Sequence, residues 1–110
     1  MFHELRTYHC QPGKLRAERD RMEAAALKFF PRHGIRSLGY WTVLVGESDH
    51  DIHYILEWES MSERDAKWKA FASDPEWMSL FAESERNGPL LTSITNVFLK
   101  PLVFGEGRKK

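Results

Sequence analysis

The residues that could do chemistry in this chain fall into two alternating sets. Glu4, Arg6 and Tyr8 occupy every second position near the N-terminus, and His53, Ile55 and Glu57 do the same near the middle. Alternation at period two puts each set on one face of a β-strand. A carboxylate, a guanidinium, a phenol and an imidazole gathered on one sheet face have two uses. They can ion-pair and fix the register of two packed surfaces. They can instead line a cavity in which His53 or Tyr8 moves a proton beside the charge of Arg6. The ion-paired patch is the simpler use, and the catalytic one is carried as its alternative.

Other chemistries find less support. His50 and His53 stand three apart, and His3 and His9 lie toward the two ends of one strand. Zinc needs three or four ligands converging on a point, and no cysteine or carboxylate cluster completes a set, so no metal and no cofactor are expected. Cys10 follows His9 directly, and neighbours in a strand face opposite ways. No serine sits in a Gly-x-Ser-x-Gly elbow, and there is no glycine-rich phosphate loop. The second candidate constellation is aromatic: Trp41, Trp58, Trp68, Phe71, Trp77 and Phe81. The simplest role for these rings is core between helices and sheet, and the functional alternative is an apolar pocket for a small hydrophobic ligand.

The elements that must position these groups follow from periodicity and punctuation. Phe2 to Cys10 alternates as a strand, and Gln11-Pro12-Gly13 turns the chain. Lys14 to about Phe30 carries an apolar stripe of Leu15, Met22, Ala25, Ala26 and Phe29, with Arg16, Glu18, Arg19, Asp20, Arg21 and Glu23 mostly opposite. Pro31 cannot continue a regular helix without losing a hydrogen bond, and His33-Gly34 looks like the end, with Gly34 available as a left-handed cap. Ile35 to Val45 and Ile52 to Glu59 are strands joined by a short polar link, with a bulge or close approach at Gly39. Ser60 with Glu63 and Ser62 with Asp65 form overlapping capping boxes for a helix through about Ala72. Asp74 and Pro75 suit the N-cap and first position of a second helix, which Asn87-Gly88-Pro89 stops. Leu90 to Leu99 is the last strand. The spacing predicts one α+β domain of βαββαβ order over 1–110, a core over 2–100 and a tail over 101–110. In the tail, Leu102, Val103 and Phe104 are apolar enough to dock, on a partner subunit among other places.

Bulk properties narrow the partners. Sixteen basic and 16 acidic residues cancel, which argues against nucleic acid. No segment is long and apolar enough for a membrane span, and the N-terminus lacks a signal-peptide pattern. The lone Cys10 fits a reducing compartment, and a cytoplasmic place is the expectation. Helices can cover only one face of a four-stranded sheet. The other face, expected to carry Glu4, Arg6, Tyr8, Ile55 and Glu57, is therefore read as the interface of a two-fold homodimer.

At this point a family can be seen. Glu4-Leu5-Arg6-Thr7-Tyr8 followed by Pro12-Gly13-Lys14-Leu15 resembles the opening of NIPSNAP-family domains. The resemblance continues through Arg32-His33-Gly34, Gly39-Tyr40-Trp41, Trp58-Glu59-Ser60 with Glu63-Arg64, and Asp74-Pro75-Glu76-Trp77. Each motif is short, but their order and spacing together are specific, and they extend over nearly the whole chain. The resemblance implies a ferredoxin-like fold assembled as a dimeric α+β barrel, and the chain looks like a bacterial, stand-alone member. It implies no agreed activity. The mitochondrial and vesicle-traffic roles of animal members are not carried over, and Pro31 departs from the family pattern.

Two functional readings of different class result. One is a non-enzymatic, homodimeric binding or interaction module, with a small hydrophobic ligand as its possible cargo. The alternative is a cofactor-independent oxygenase- or isomerase-type enzyme, with His53, Tyr8 and Arg6 as its candidate groups; this rests on analogy between folds. A sealed homo-oligomer without a pocket is the third possibility.

Overall fold

Side-chain alternation between Phe2 and Cys10 yields a strand with those very bounds. In the computed structural model, which describes residues 1–102 and 104, β1 runs Phe2–Cys10. Gly13 turns the chain with a φ of 80°, a conformation that costs glycine little, and α1 (Leu15–Ala24) begins. The helix runs past Phe30, through Pro31, to the end expected at His33-Gly34. Ala25–Phe29 forms a π-helical turn in which the Phe30 N–H reaches the Ala25 carbonyl five residues back. The helix then continues as α2 (Phe30–Arg32). In a regular helix a proline ring presses on the carbonyl four residues earlier. Here the widened turn immediately precedes Pro31 and gives that ring room. The end comes at Gly34 (φ 69°). There the Ile35 N–H bonds back to the Phe30 carbonyl at 2.9 Å, a left-handed cap of the expected kind.

β2 (Arg36–Thr42) is shorter than its β-rich sequence suggests, and β3 is Asp51–Trp58. Pairing ends at Thr42 opposite Ile52. Leu44 and Val45 then project into solvent at 97% and 92% exposure, because strand propensity holds no residue in a sheet without a partner strand. The bulge expected near Gly39 lies between Ser37 and Gly39. The Trp41 ring packs so closely over Gly39 that a β-carbon there would meet it at 2.8 Å.

α3 (Met61–Ala72) and α4 (Pro75–Ser84) divide at Ser73-Asp74 as expected. The Glu63 N–H donates to Ser60 Oγ at 3.1 Å, and the Glu59 N–H donates to the Glu63 carboxylate at 2.7 Å. The Ser62–Asp65 pair falls inside the helix and caps nothing. Asp74 Oδ1 accepts the N–H groups of Glu76 and Trp77. Its Oδ2 hydrogen-bonds Arg32 at 2.9 Å and His33 at 2.7 Å. One capping carboxylate thus joins two of the sequence motifs. The His33 and Arg32 hydrogen bonds, with the capped N–H groups, outweigh desolvation and hold its pKa well below the usual carboxylate range. A Lys28–Glu76 ion pair closes the same corner.

β4 (Leu91–Leu99) completes one antiparallel sheet of order β2-β3-β1-β4, the ferredoxin-like arrangement. The core lies between this sheet and the helices. Phe29, Phe30, Tyr54, Leu56 and Trp58 are essentially sealed there, beside Met22, Ala25, Ile35, Ile52 and Phe71. Each buried Phe, Leu, Ile or Met side chain among these contributes about 1.5–3 kcal/mol. Leu102 and Phe104 are exposed, so neither docks on its own chain. The expectation for Val103 lies outside the described residues.

The register overturns one central expectation. Glu4 pairs with Leu56, Arg6 with Tyr54 and Tyr8 with Ile52. Directly paired residues project from the same face, so Glu4, Arg6 and Tyr8 lie under the helices with the core. They are not on the open face. That face instead carries His3, Leu5, Thr7, His53, Ile55 and Glu57. Polarity alone had suggested exposure, but these three groups satisfy one another and their neighbours inside.

Candidate functional site

The polar residues of β1 are held by a network built around Glu4. This carboxylate is fully buried and takes five donated hydrogen bonds. Arg6 Nη1 (2.9 Å), Trp58 Nε1 (3.0 Å) and Asn96 Nδ2 (2.6 Å) come from the sheet. Arg64 Nε (2.9 Å) and Nη2 (3.1 Å) come from α3. Burial by itself would raise the Glu4 pKa, but the hydrogen bonds from Arg64, Arg6 and Trp58 and the Arg6 charge bring it below the ordinary value. The capping box at Ser60 places Arg64 in the first turn of α3, where it can reach down to the sheet.

Arg6 carries the network toward the middle of the sheet. Its guanidinium stacks 4.3 Å from the Trp68 ring, and its Nε–H donates to the Tyr54 hydroxyl at 2.6 Å. The Tyr54 and Tyr8 hydroxyls are 2.7 Å apart. Burial pushes the Arg6 pKa down, but the two phenols and Glu4 hold it above the ordinary value. Burial, with the neighbouring Tyr8, raises Tyr54 well above a normal phenol, so it stays protonated. The direction of the phenol pair follows from counting donors. Tyr54 is sealed from water and already accepts from Arg6, so its own proton goes to Tyr8. The Tyr8 proton is then left with no acceptor among the described residues.

Tyr8 lines a cavity of about 220 Å³ between the sheet, α1 and α4. The rest of its wall is mostly apolar, with Phe30, Phe71, Trp77, Phe81 and Ile94 prominent. Phe71 and Trp77 lie 4.8 Å apart between ring centres, and Phe29 packs edge-on to Trp77 at 5.2 Å. One wall is charged. Glu18 is buried, and its Oε1 lies 2.6 Å from Arg21 Nη2, off the direction that a hydrogen bond needs. Arg21 also donates to Ser84 at 3.0 Å and to Glu85 at 3.1 Å, and its guanidinium lies 4.4 Å from the Phe81 ring. One guanidinium thus serves two carboxylates. Burial dominates and pushes Glu18 up to about 7, with Arg21 opposing. Cys10 is buried nearby, and burial with the Glu18 and Asp51 charges lifts its thiol to about 11. It is therefore a poor nucleophile. A larger cleft of about 520 Å³ lies between α1 and β2, bordered by Arg19, Leu27, Tyr40 and Trp41. Its wall includes exposed side chains, Leu27 at 73% and Trp41 at 50%, so it is a surface groove.

The structure separates the candidate catalytic set. Tyr8 and Arg6 share the network, whereas His53 is on the opposite face, 2.9 Å from Thr7 Oγ1. Of the candidate ligand-binding rings, Phe71 and Trp77 reach the cavity wall. Trp58 and Trp68 are committed to Glu4 and Arg6, and Trp41 borders the outer groove. Among the described residues no three potential metal ligands gather. Glu18, Arg21, Tyr54 and Arg64 were missed. Glu18 had a signal: positions 15, 18, 22, 25 and 29 form one helical stripe, and a carboxylate inside it is buried by geometry.

The chain as a whole is similar to other proteins. The NIPSNAP family model matches residues 3–106. Mouse Protein NipSnap homolog 3B is 30% identical over 80 residues, which is 73% of this chain and 32% of that protein. The chain thus spans about a third of that relative's length. A NIPSNAP domain protein from Burkholderia xenovorans superposes with a TM-score of 0.80 at 26% identity, covering 96% of this chain and 98% of that one. A putative antibiotic biosynthesis monooxygenase from Nitrosomonas europaea shares the fold, with a TM-score of 0.62 at 7% identity over 93% and 99% of the two chains.

Two outcomes check the electrostatics. Glu4→Gln weakens the anchor of two buried or half-buried guanidinium groups and is expected to cost about 3 kcal/mol. Urea unfolding at neutral pH reads this, and a loss below about 1 kcal/mol would refute the central role given to Glu4. Glu18 binds protons more tightly folded than unfolded, between its ordinary 4.5 and about 7. Its contribution to stability is therefore full below about pH 4.5 and lost as pH rises through about 7. Unfolding free energies of Glu18→Gln should lack that decline, so the variant gains on the wild type as pH rises. Parallel pH curves for the two proteins would contradict the raised pKa.

Proposed function

The chain belongs to the NIPSNAP family, and on that premise we propose that it is a homodimeric binding module whose cargo is a small, largely apolar molecule. The observation that carries this reading is the cavity between sheet and helices. Apolar side chains, several of them aromatic, form most of its wall, a few polar groups converge on it, and it is set apart from the open sheet face. That combination is the usual make-up of a small-molecule site. Its volume is that of about seven waters in the liquid, which suits one ring with short substituents. The lone, buried Cys10 supports a reducing, cytoplasmic setting. No helix among the described residues is long and apolar enough to cross a membrane.

A second reading is a cofactor-independent oxygenase- or isomerase-type enzyme. What favours it is the presence at one cavity of a phenol with a spare proton, Tyr8, and a carboxyl titrating near neutrality, Glu18. His53 belongs to neither reading of this site.

The dimer has a different physical basis. On the open face, Gly39, Ile55, Leu5 and Val97 stand in one row across the sheet, with the half-exposed Trp41 over Gly39. Leu38 and Leu99 are exposed as well. A His3–Glu57 hydrogen bond and an Arg36–Glu57 ion pair edge this apolar row. A second copy would bury it. Ile55 and Glu57 remain interface residues in this proposal, while Glu4, Arg6 and Tyr8 leave it.

Titration of the full chain with ethylbenzene, followed by amide NMR shifts, tests the ligand reading. Saturable shifts confined to the cavity wall are expected, and Ile94→Trp, which fills the wall at a half-exposed position, should abolish them. Shifts that never saturate, or that persist in the variant, defeat it. Light scattering tests the dimer. The expected mass is twice 12.9 kDa at micromolar concentration, falling to that of one chain in Ile55→Glu. A wild-type monomer rules the dimer out.

A further inference from the structure

The walls of the cavity are not held equally. α1 buries Glu18, Arg21 and Met22, the turn after it buries Ala25 and Phe29, and α3 buries Phe71, whereas α4 buries no residue. Yet α4 and the residue that follows it supply Trp77, Phe81 and Glu85 to the cavity wall. A spacing of four puts these three on one stripe of the helix. α4 touches the core through the half-buried Trp77 and Leu80, so it is a roof over the cavity with a light grip on what lies below. Phe81 of α4 and Ile94 of β4, both in the cavity wall, are 41% and 47% exposed. The wall therefore reaches the surface along the seam between α4 and β4.

The two ends of α4 are fastened differently. At the N-terminal end Asp74 binds Arg32 and His33, and Glu76 pairs with Arg32 and Lys28. At the C-terminal end a single guanidinium makes the attachment to α1. Arg21 donates to Ser84 Oγ and to the Glu85 carboxylate and lies 4.4 Å from the Phe81 ring. Glu85 also accepts the Leu90 N–H at 3.3 Å. Between them, residues 86–89 include Gly88 at a φ of 114° and leave slack for the end of the helix to lift.

We propose, building on the ligand reading above, that α4 is a lid which pivots at the Asp74 corner, lifts when Arg21 releases Ser84 and Glu85, and admits the ligand along the seam with β4. Elements that bury few side chains are the ones that open well below the free energy of global unfolding. A roof of that kind shuts a bound molecule away from water when it closes. The latch is tied to occupancy, because Phe81 carries both the contact with Arg21 and a part of the cavity wall. A ring in the cavity would pack on Phe81 and Trp77 from below, so ligand and latch favour the same closed position of the helix.

A thiol inside the cavity reads the opening directly. In the full chain carrying Cys10→Ala, Ala25→Cys places a sulfhydryl in the cavity wall at a position 2% exposed, and methyl methanethiosulfonate must enter to reach it. Its reaction should be slow and nearly independent of urea below the unfolding transition, as a local opening is. Ser84→Ala with Glu85→Ala removes both acceptors of the latch. The rate should then rise about tenfold, the scale of one hydrogen bond to a charged group. Glu83→Gln, which breaks an exposed ion pair with Arg86, should leave the rate unchanged. If Ala25→Cys does not fold, Met22→Cys on the same wall takes its place. Saturating ethylbenzene should slow the reaction further. A rate that the Ser84 and Glu85 changes do not alter, or one that climbs with urea as steeply as global unfolding, overturns the lid. A latch-dependent rate that ethylbenzene does not slow upholds the lid and defeats the ligand reading instead.

Discussion

A carboxylate sealed at position 4 is the constraint around which the rest of this domain is arranged. An ionised group out of water is costly unless several donors meet it. Glu4 is met by donors from β1, β3, β4 and α3 at once. That convergence sets relationships that apolar packing leaves loose. It pins α3 over the centre of the sheet, fixes β4 against β1 through Asn96, and holds Arg6 against Trp68. From Arg6 the order passes to Tyr54, then to Tyr8, and so to the cavity wall. The site is therefore positioned by a chain of hydrogen bonds that starts far from it, on rigid strands, which is how a binding surface keeps its shape when empty.

Much of this was legible in the sequence. Strand alternation, the Ser60 and Asp74 caps, the split at Ser73-Asp74 and the bulge by Gly39 are all local events, and local chemistry predicts them. The family motifs carried the strand order. The errors are equally instructive. The helix was legible only to about Phe30, but a widened turn just before Pro31 made room for it to continue, and such a turn depends on packing rather than on the composition of Ala25–Phe29. β2 outran its partner on paper because β-branched residues do not report where pairing stops. The largest error was the sheet face. Glu4, Arg6 and Tyr8 look like surface in any hydropathy pattern, since burial of charge depends on partners such as Arg64 and Asn96, some sixty to ninety residues away. No short window can show that they meet.

The two faces of the sheet consequently divide two jobs. The helix side holds the polar chain and the cavity, while the open side holds an apolar row edged by ion pairs. Family membership accounts for this division as architecture. It leaves the cavity's own chemistry to the residues that line it. Glu18 illustrates the point: its burial follows from a helical stripe, and that burial is the main cause of its raised pKa, with Arg21 opposing and the Glu85 charge adding a little.

The Trp41 ring over Gly39 has a bearing on how many copies can join. The sheet has two outer strands, β2 and β4. The bulge and the folded indole blunt β2, as edge strands require if they are not to recruit neighbours. β4 is nine residues long and exposed along almost its whole length, and it carries a bulge of its own at Thr92, opposite the His9–Cys10 step. An extra residue in an edge strand bends it and breaks the ladder that a neighbouring sheet would have to match. Both outer edges of the sheet are therefore interrupted, one by Leu38 beside Gly39 and one by Thr92, so a further sheet meets an irregular ladder at either side.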